Sequence, residues 1–160
     1  MKLVVFSDTH GYCEHMLQAI ERETPAHVIH LGDHTDDIEE LRRHFPMLPI
    51  LSVRGNCDYS DFSTSDSIVV DFGGIKVLAA HGHKYGVKSN LLRYLMAAKE
   101  KAVHIALYGH THCAFCEKID GIWLLNPGTC GYVCRATYGV VEITAREVTC
   151  TIKTIEENVL

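Results

Sequence analysis

The chain predicts an α/β (mixed α+β) fold, with parallel strands first, antiparallel hairpins later, and helices covering the sheets. Three observations carry this expectation. Apolar runs of strand length alternate with helix-spaced apolar residues through the first third of the sequence, a pattern that favours parallel strands joined by right-handed crossovers. Two Gly-containing dipeptides later sit between strand-like runs, as in tight hairpins. At 160 residues and 47% hydrophobic, the chain can bury one substantial core and is short for two, so a single domain over residues 1–160 is expected.

Each element has its own signal. Leu3 to Phe6 is a short continuous apolar run, as in a strand buried on both faces. Met16, Leu17 and Ile20 follow at helical spacing, then Val28 to Leu31 reads as a second strand. Ile38, Leu41 and Phe45 mark a second helix, and Ile50 to Val53 a third strand. Ser67 to Phe72 and Ile75 to Ala80 flank Gly73-Gly74, and Ile119 and Ile122 flank Asp120-Gly121. Between these hairpins, Val87 to Lys99 reads as a helix with Leu91, Leu92, Leu95 and Met96 on its apolar face, followed by a strand over Val103 to Tyr108. Tyr138 to Ile143 and Val148 to Ile155 supply two further strands. Tyr59 to Ser67, rich in Ser and Asp, is the expected mobile loop.

Lys and Arg total 15 against 20 Asp and Glu, so long nucleic acid and anionic membranes are poor partners. The first apolar run is too short for a signal peptide or a membrane span. Seven cysteines, at 13, 57, 113, 116, 130, 134 and 150, cannot all pair within one chain, and a cytoplasmic location is the simplest expectation. Eleven histidines are the stronger compositional signal, because imidazole is a common metal ligand. His15, His27, His44 and His104 read as surface or packing residues.

The remaining chemistry gathers in five segments, each just after a strand-like run: Asp8/His10, Gly32-Asp33, Gly55-Asn56, His81-Gly82-His83 and Gly109-His110-Thr111-His112. Carboxyl ends of strands in an α/β sheet converge on one crevice, so these side chains can meet around a metal. Singly, each has a plainer explanation. Asp8 can cap the following helix with His10 packed against it, Asp33 can cap likewise, and Gly55-Asn56 can be a turn, although an extended backbone would send Asp8 and His10 to one side, as a shared site needs. Two separate His-x-His elements at strand ends are harder to explain as core histidines.

Taken in order, the five segments resemble the calcineurin-like metallophosphoesterase superfamily, over about Met1 to Thr129. The resemblance closes with Asn126-Pro127-Gly128-Thr129, which is similar to the Asn-Pro-Gly-Ser turn of a small, uncapped bacterial and archaeal branch. It implies a double β-sandwich of mixed sheets flanked by helices, four layers in the order α/β/β/α. It also implies two divalent metal ions, one held by Asp8, His10, Asp33 and His112, the other by Asp33, Asn56, His81 and His110. Manganese leads the candidates, and Ni, Fe, Co or Zn also suits mixed imidazole, carboxylate and amide ligation. The implied activity is phosphodiester hydrolysis, with a metal-bridging hydroxide attacking phosphorus in line between cations about 3.5 to 4 Å apart.

Asp33, Asn56, Cys57 and His83 are the implied catalytic residues. Most of the superfamily has histidine after the Gly-Asn, thought to protonate the leaving group, whereas this chain has Gly55-Asn56-Cys57-Asp58. With a thiol there, good leaving groups are expected to react more readily than alkyl ones, with His83 or metal-bound water giving any proton assistance. His34, Asp36 and Asp37 read as a solvated helix start; Arg54, Lys84 and Tyr85 are candidate substrate contacts. Cys113-x-x-Cys116 with Cys130-x-x-x-Cys134 approaches a structural zinc pattern, but Cys113 to Cys116 reads as a strand, and buried cysteines acting as apolar residues are the expectation. The expected partner is a small phosphodiester, and a homodimer through exposed hairpin edges fits the same features. The alternative is a non-catalytic protein-interaction scaffold of the same fold, as in the scaffold subunit of retromer, which is similar to this branch but departs at the Gly-Asp and Gly-Asn segments.

Overall fold

Leu3 and Val5 point to one side of the first strand, Val4 and Phe6 to the other, and all four are fully buried. A strand apolar on both faces needs a covering layer on each, and the computed structural model, which describes residues 1–133 and 135–155, supplies both. Strands β1 (Lys2–Phe6), β2 (His27–His30) and β3 (Ile50–Ser52) pair in parallel, with helices α1 (Glu14–Glu23) and α2 (Asp37–His44) in the crossovers. Strands β4 (Ser67–Phe72) and β5 (Ile75–Ala80) form a hairpin, followed by α3 (Leu92–Glu100) and β6 (Ile105–Leu107). A second hairpin joins β7 (Phe115–Ile119) to β8 (Ile122–Asn126), and a third joins β9 (Thr137–Ile143) to β10 (Val148–Thr154).

These strands make two five-stranded sheets, ordered β10-β9-β1-β2-β3 and β4-β5-β6-β8-β7. Leu3, Val5, Ile29 and Leu31 of the first face Val77, Ala79, Leu107 and Leu125 of the second in a shared apolar layer. Outside the first sheet, Met16, Ala19 and Ile20 of α1 and Leu41 of α2 pack on Val4, Phe6 and Val28. Outside the second, Tyr94 and Ala98 of α3 pack on Leu78, Ala106 and Leu124. The result is the four-layer α/β/β/α sandwich.

The hairpins of the second half form as expected and are joined through parallel pairing of β6 with both β5 and β8, because α3 and the β7–β8 hairpin each return the chain in the same direction. Several expectations need correction. Helix α3 begins at Leu92 rather than Val87, and the Asn90 side-chain oxygen accepts the Leu92 N–H at 3.0 Å, an Asx turn that leads into the helix. Its buried face is Tyr94 and Ala98, with Leu91 and Leu95 packed beside them, whereas Leu92 and Met96 are 62% and 60% exposed. A tyrosine that can donate to the Leu107 carbonyl outcompetes two aliphatic residues for the core position. Cys113 is exposed and precedes β7, while Cys116 lies within it and Cys130 is buried elsewhere. Cys134 lies outside the described residues. The Tyr59 to Ser67 loop is tied down: Asp61 accepts from Thr35, Ser63 and Thr64, and Arg54 pairs with Asp66 at 2.8 Å. Among the described residues, no helix is long and apolar enough to cross a membrane.

Candidate metal centre

The carboxyl ends of β1, β2, β3, β5 and β6 open at one end of the sandwich, and the five segments leave from there. Asp8 (φ 56°), His10 (49°), Asp33 (58°), His110 (68°) and His112 (58°) all have left-handed backbones. Such φ values are rare outside glycine and cost about 1–3 kcal/mol each, and they persist where surrounding structure enforces them. Asp8 and His10 therefore reach one place by a strained turn, not by an extended strand. Neither Asp8 nor Asp33 caps a helix, since α1 and α2 start after Cys13 and Asp36.

Asp8 is wholly buried. Its Oδ2 accepts from Ser7 Oγ at 2.6 Å and from the His110 N–H at 3.0 Å. Its Oδ1 is buried with no hydrogen-bond partner among the described residues, and lies 3.1 Å from His112 Nε2 and 3.9 Å from His81 Nε2. An unpartnered buried carboxylate oxygen is costly, and a cation satisfies it directly. Atoms of Asp8, His10, Asp33 and His112 all lie within 4.8 Å of one another, and the His10 and His112 Nε2 atoms are 3.4 Å apart. Asp33 and Asp8 form the buried floor, and exposed His10 and His112 form the rim, so the centre is open to an incoming molecule.

The remaining candidates stand against this group. His81 is fully buried and donates from Nδ1 to the Leu31 carbonyl at 2.9 Å, which leaves the Nε2 lone pair facing the centre, the arrangement typical of a metal-binding imidazole. That Nε2 lies 3.1 Å from Asn56 Oδ1, 3.2 Å from His110 Nδ1 and 3.5 Å from Asp33 Oδ2. Ligand atoms about 2.0–2.2 Å from a common ion are separated by such distances, so these residues fit the second ion as the first four fit the first. Burial first, then neighbouring His81 and Lys88, lowers the His110 pKa to about 4, so its imidazole is neutral at pH 7. Asp33 Oδ1 accepts the Cys57 N–H at 2.8 Å, and Oδ2 faces His81 Nε2 at 3.5 Å.

Glycines let the turns touch. A Cβ on Gly32 would stand 2.3 Å from Gly55 N, and one on Gly55 would stand 2.1 Å from Asp33 Oδ1. Gly32 before Asp33 thus permits a crowded approach of two ligand-bearing loops.

Four further residues brace the centre. Asp58 accepts four backbone N–H groups, from Asp33 (2.9 Å), His34 (2.7 Å), Thr35 (2.9 Å) and Gly55 (2.6 Å). It locks the Asp33 turn onto the Asn56 turn. His30 Nδ1 accepts from Gly32 N, and its Nε2 meets Thr9 Oγ1, which donates to Asp37 Oδ2 at 2.6 Å. Asp37 is accordingly buried, unlike the solvated helix start expected of it, while His34 and Asp36 are exposed. Asn126 donates to Gly109 O and Thr111 Oγ1 and accepts from Gly128 N, so the Asn-Pro-Gly-Thr turn braces the His110/His112 loop. No local signal separates such bracing residues from ordinary turn formers.

The other candidates are placed as follows. Burial, followed by hydrogen bonding and charge from Asp33, pushes the Cys57 thiol up to about 11; it accepts from Asn56 Nδ2 at 3.3 Å. The His83 ring centroid lies 5.5 Å from that of His81 and 6.1 Å from that of His110. Burial lowers its pKa, and its Nδ1 is buried without a partner. Arg54 pairs with Asp66 and donates to the Asp61 carbonyl, Lys84 pairs with Asp66, and Tyr85 meets Tyr94 edge-on. His15 packs inside, against the Cys130 and Gly131 carbonyls.

A sandwich with imidazole and carboxylate side chains converging at the strand ends defines a metallophosphoesterase-type site. The chain belongs to the calcineurin-like phosphoesterase superfamily, whose domain matches residues 1–146. YsnB of Bacillus subtilis, which carries a metallophosphoesterase name, is 36% identical over 130 residues, 81% of this chain and 75% of that protein. A phosphodiesterase of Methanocaldococcus jannaschii is 29% identical over 92% of this chain and 96% of its own length. The crystal structure of Chaetomium thermophilum Vps29 superposes with a TM-score of 0.81, covering 99% of this chain and 89% of that one at 15% identity, which is a likeness of fold alone.

Proposed function

We propose that the chain is a binuclear metal-dependent phosphodiesterase acting on small diesters. The observation that carries this reading is the Asp8 Oδ1 atom, buried, unpartnered and ringed by His112 and His81, an arrangement a cation resolves. Asp8, His10, Asp33 and His112 would hold one ion, and Asp33, Asn56, His81 and His110 the other, with Asp33 common to both sets. When bound, the ions supply Lewis acidity, neutralising phosphoryl charge and activating water for attack. The protein's part is to orient the donor set, to keep the His110 imidazole neutral at pH 7, and to leave the His10/His112 rim open. A Cys57 thiol raised to about 11 is a weak proton donor, which makes the reaction dependent on the leaving group, with His83 or metal-bound water giving any proton assistance. Mn is the first metal to load, with Ni, Fe, Co and Zn as competitors, and a homodimer through hairpin edges is compatible with function. Six unpaired cysteines among the described residues support a reducing, cytoplasmic setting.

The test is to strip the protein with chelator, reload it with Mn, Ni or Zn, and follow an aryl phosphodiester beside an aryl phosphomonoester. Two ions per chain and faster diester turnover are expected, with Asp33→Asn losing both ions and all activity. Two bound ions without turnover on either ester would favour the scaffold reading, and retention of both ions by Asp33→Asn would remove the bridge.

A further inference from the structure

The opposite end of the sandwich holds a cavity of about 590 Å³, at the amino-terminal ends of β5, β6 and β8 and beside the β9–β10 turn. Its volume falls within the range of small-molecule sites, about 300–1,000 Å³. Trp123 and Lys118 line it together, cross-strand partners with the ammonium 5.9 Å from the indole centroid. Arg146 stands on the facing turn, which is held by Thr144 through hydrogen bonds with Arg146 and Glu147. Neither Lys118 nor Arg146 forms an ion pair among the described residues. His104 adds a donor, because its Nδ1 accepts the Lys76 N–H at 3.0 Å and the neutral ring must then carry its proton on Nε2. Ile75 and Val148 contribute apolar wall. Glu147 is the one carboxylate on the lining, so cations outnumber it two to one in a chain whose net charge is −5.

We propose that this cavity is a second, non-catalytic binding site for a small molecule joining a flat ring to a phosphate group, of the nucleoside monophosphate kind. Lys118 and Arg146 take the anion, His104 donates a further hydrogen bond, and the indole and aliphatic wall take the ring. The indole N–H is buried without a partner among the described residues, so no hydrogen bond from them resists a shift of Trp123 as the ring enters. The site stands on residues remote from the metal ligands and does not depend on turnover there.

Trp123 is the sole tryptophan, so its emission reports the site. The experiment titrates the purified full chain with 5′-AMP, adenosine and inorganic phosphate, with and without chelator, by tryptophan fluorescence and calorimetry. A saturable AMP response with the same Kd in chelator is expected, with adenosine and phosphate each roughly tenfold weaker. Lys118→Gln and Arg146→Gln should each weaken AMP about threefold to fivefold, the range of an exposed ion pair, while circular dichroism and metal content stay unchanged. Absence of saturable binding, phosphate binding as tightly as AMP, an unchanged Kd in the Lys118→Gln/Arg146→Gln double variant, or loss of the signal in Asp33→Asn would each overturn the proposal.

Discussion

Asp58→Asn removes a single charge and leaves the side chain's shape almost intact, yet it should damage both folding and metal affinity. In the wild-type protein Oδ2 takes the Asp33 and Gly55 N–H groups and Oδ1 takes those of His34 and Thr35. An asparagine supplies one acceptor oxygen, so two of the four donors must face an amide N–H whichever way it is turned. Hydrogen bonds to a charged group contribute about 1.5–3 kcal/mol each. Loss of two, softened by water and small shifts, gives about 2–4 kcal/mol. That is a large share of a typical total of about 5–15 kcal/mol. The same donors lower the Asp58 pKa against the opposing effect of burial. The stability Asp58 adds is thus present above the ordinary aspartate pKa of about 4 and is lost as pH falls below it. Because Asp33 and His34 both hold positive φ, loosening their amides also loosens the proposed bridge, and metal affinity should fall about 10–100-fold, as for other residues that orient ligands. Urea denaturation of the chelated protein gives the first quantity and calorimetric titration with Mn the second. A variant with wild-type midpoint and wild-type Mn affinity would refute the role assigned to Asp58.

Gly55→Ala puts a methyl group 2.1 Å from Asp33 Oδ1, so the carboxylate must move, and activity should drop about 100-fold with far-ultraviolet circular dichroism preserved; unchanged kcat/KM would show that the two turns have slack. Burial holds the His30 pKa at about 4, below its unfolded value of about 6.5. The unfolded chain therefore binds the extra proton first, and stability of the chelated protein should decline as pH falls from about 6.5 towards 4. His30→Gln should flatten that slope, and an equal slope in both proteins would place its origin elsewhere. Cys57→His should raise the rate on alkyl diesters relative to aryl diesters, and an unchanged ratio would mean that leaving-group protonation does not pass through position 57.

Much of the layout was legible because it is written in local patterns. The doubly apolar β1, the alternating helices and strands to β3, and the hairpin dipeptides Gly73-Gly74 and Asp120-Gly121 each express a short-range steric or hydrophobic rule. The buried face of α3 differs from the one its spacing predicts because Leu92 and Met96 are as apolar as Leu91 and Leu95; only the position of Tyr94 over β6 decides which side is covered. Parallel pairing of β6 with β5 and β8 depends on how far α3 and β7 carry the chain, which periodicity does not encode.

The same division runs through the candidate centre. By itself the sequence determined which side chains of metal-binding chemistry stand at strand ends, and in what order, because ligand type and the end of an apolar run are both local properties. Only the tertiary structure decided that five of those residues adopt left-handed backbones, that Asp8 Oδ1 is enclosed without a partner, and that Asp58, Asp37, His30 and Asn126 brace the loops. Each of those depends on contacts between segments far apart in the chain, where burial turns an ordinary polar residue into one whose hydrogen bonds have to be met.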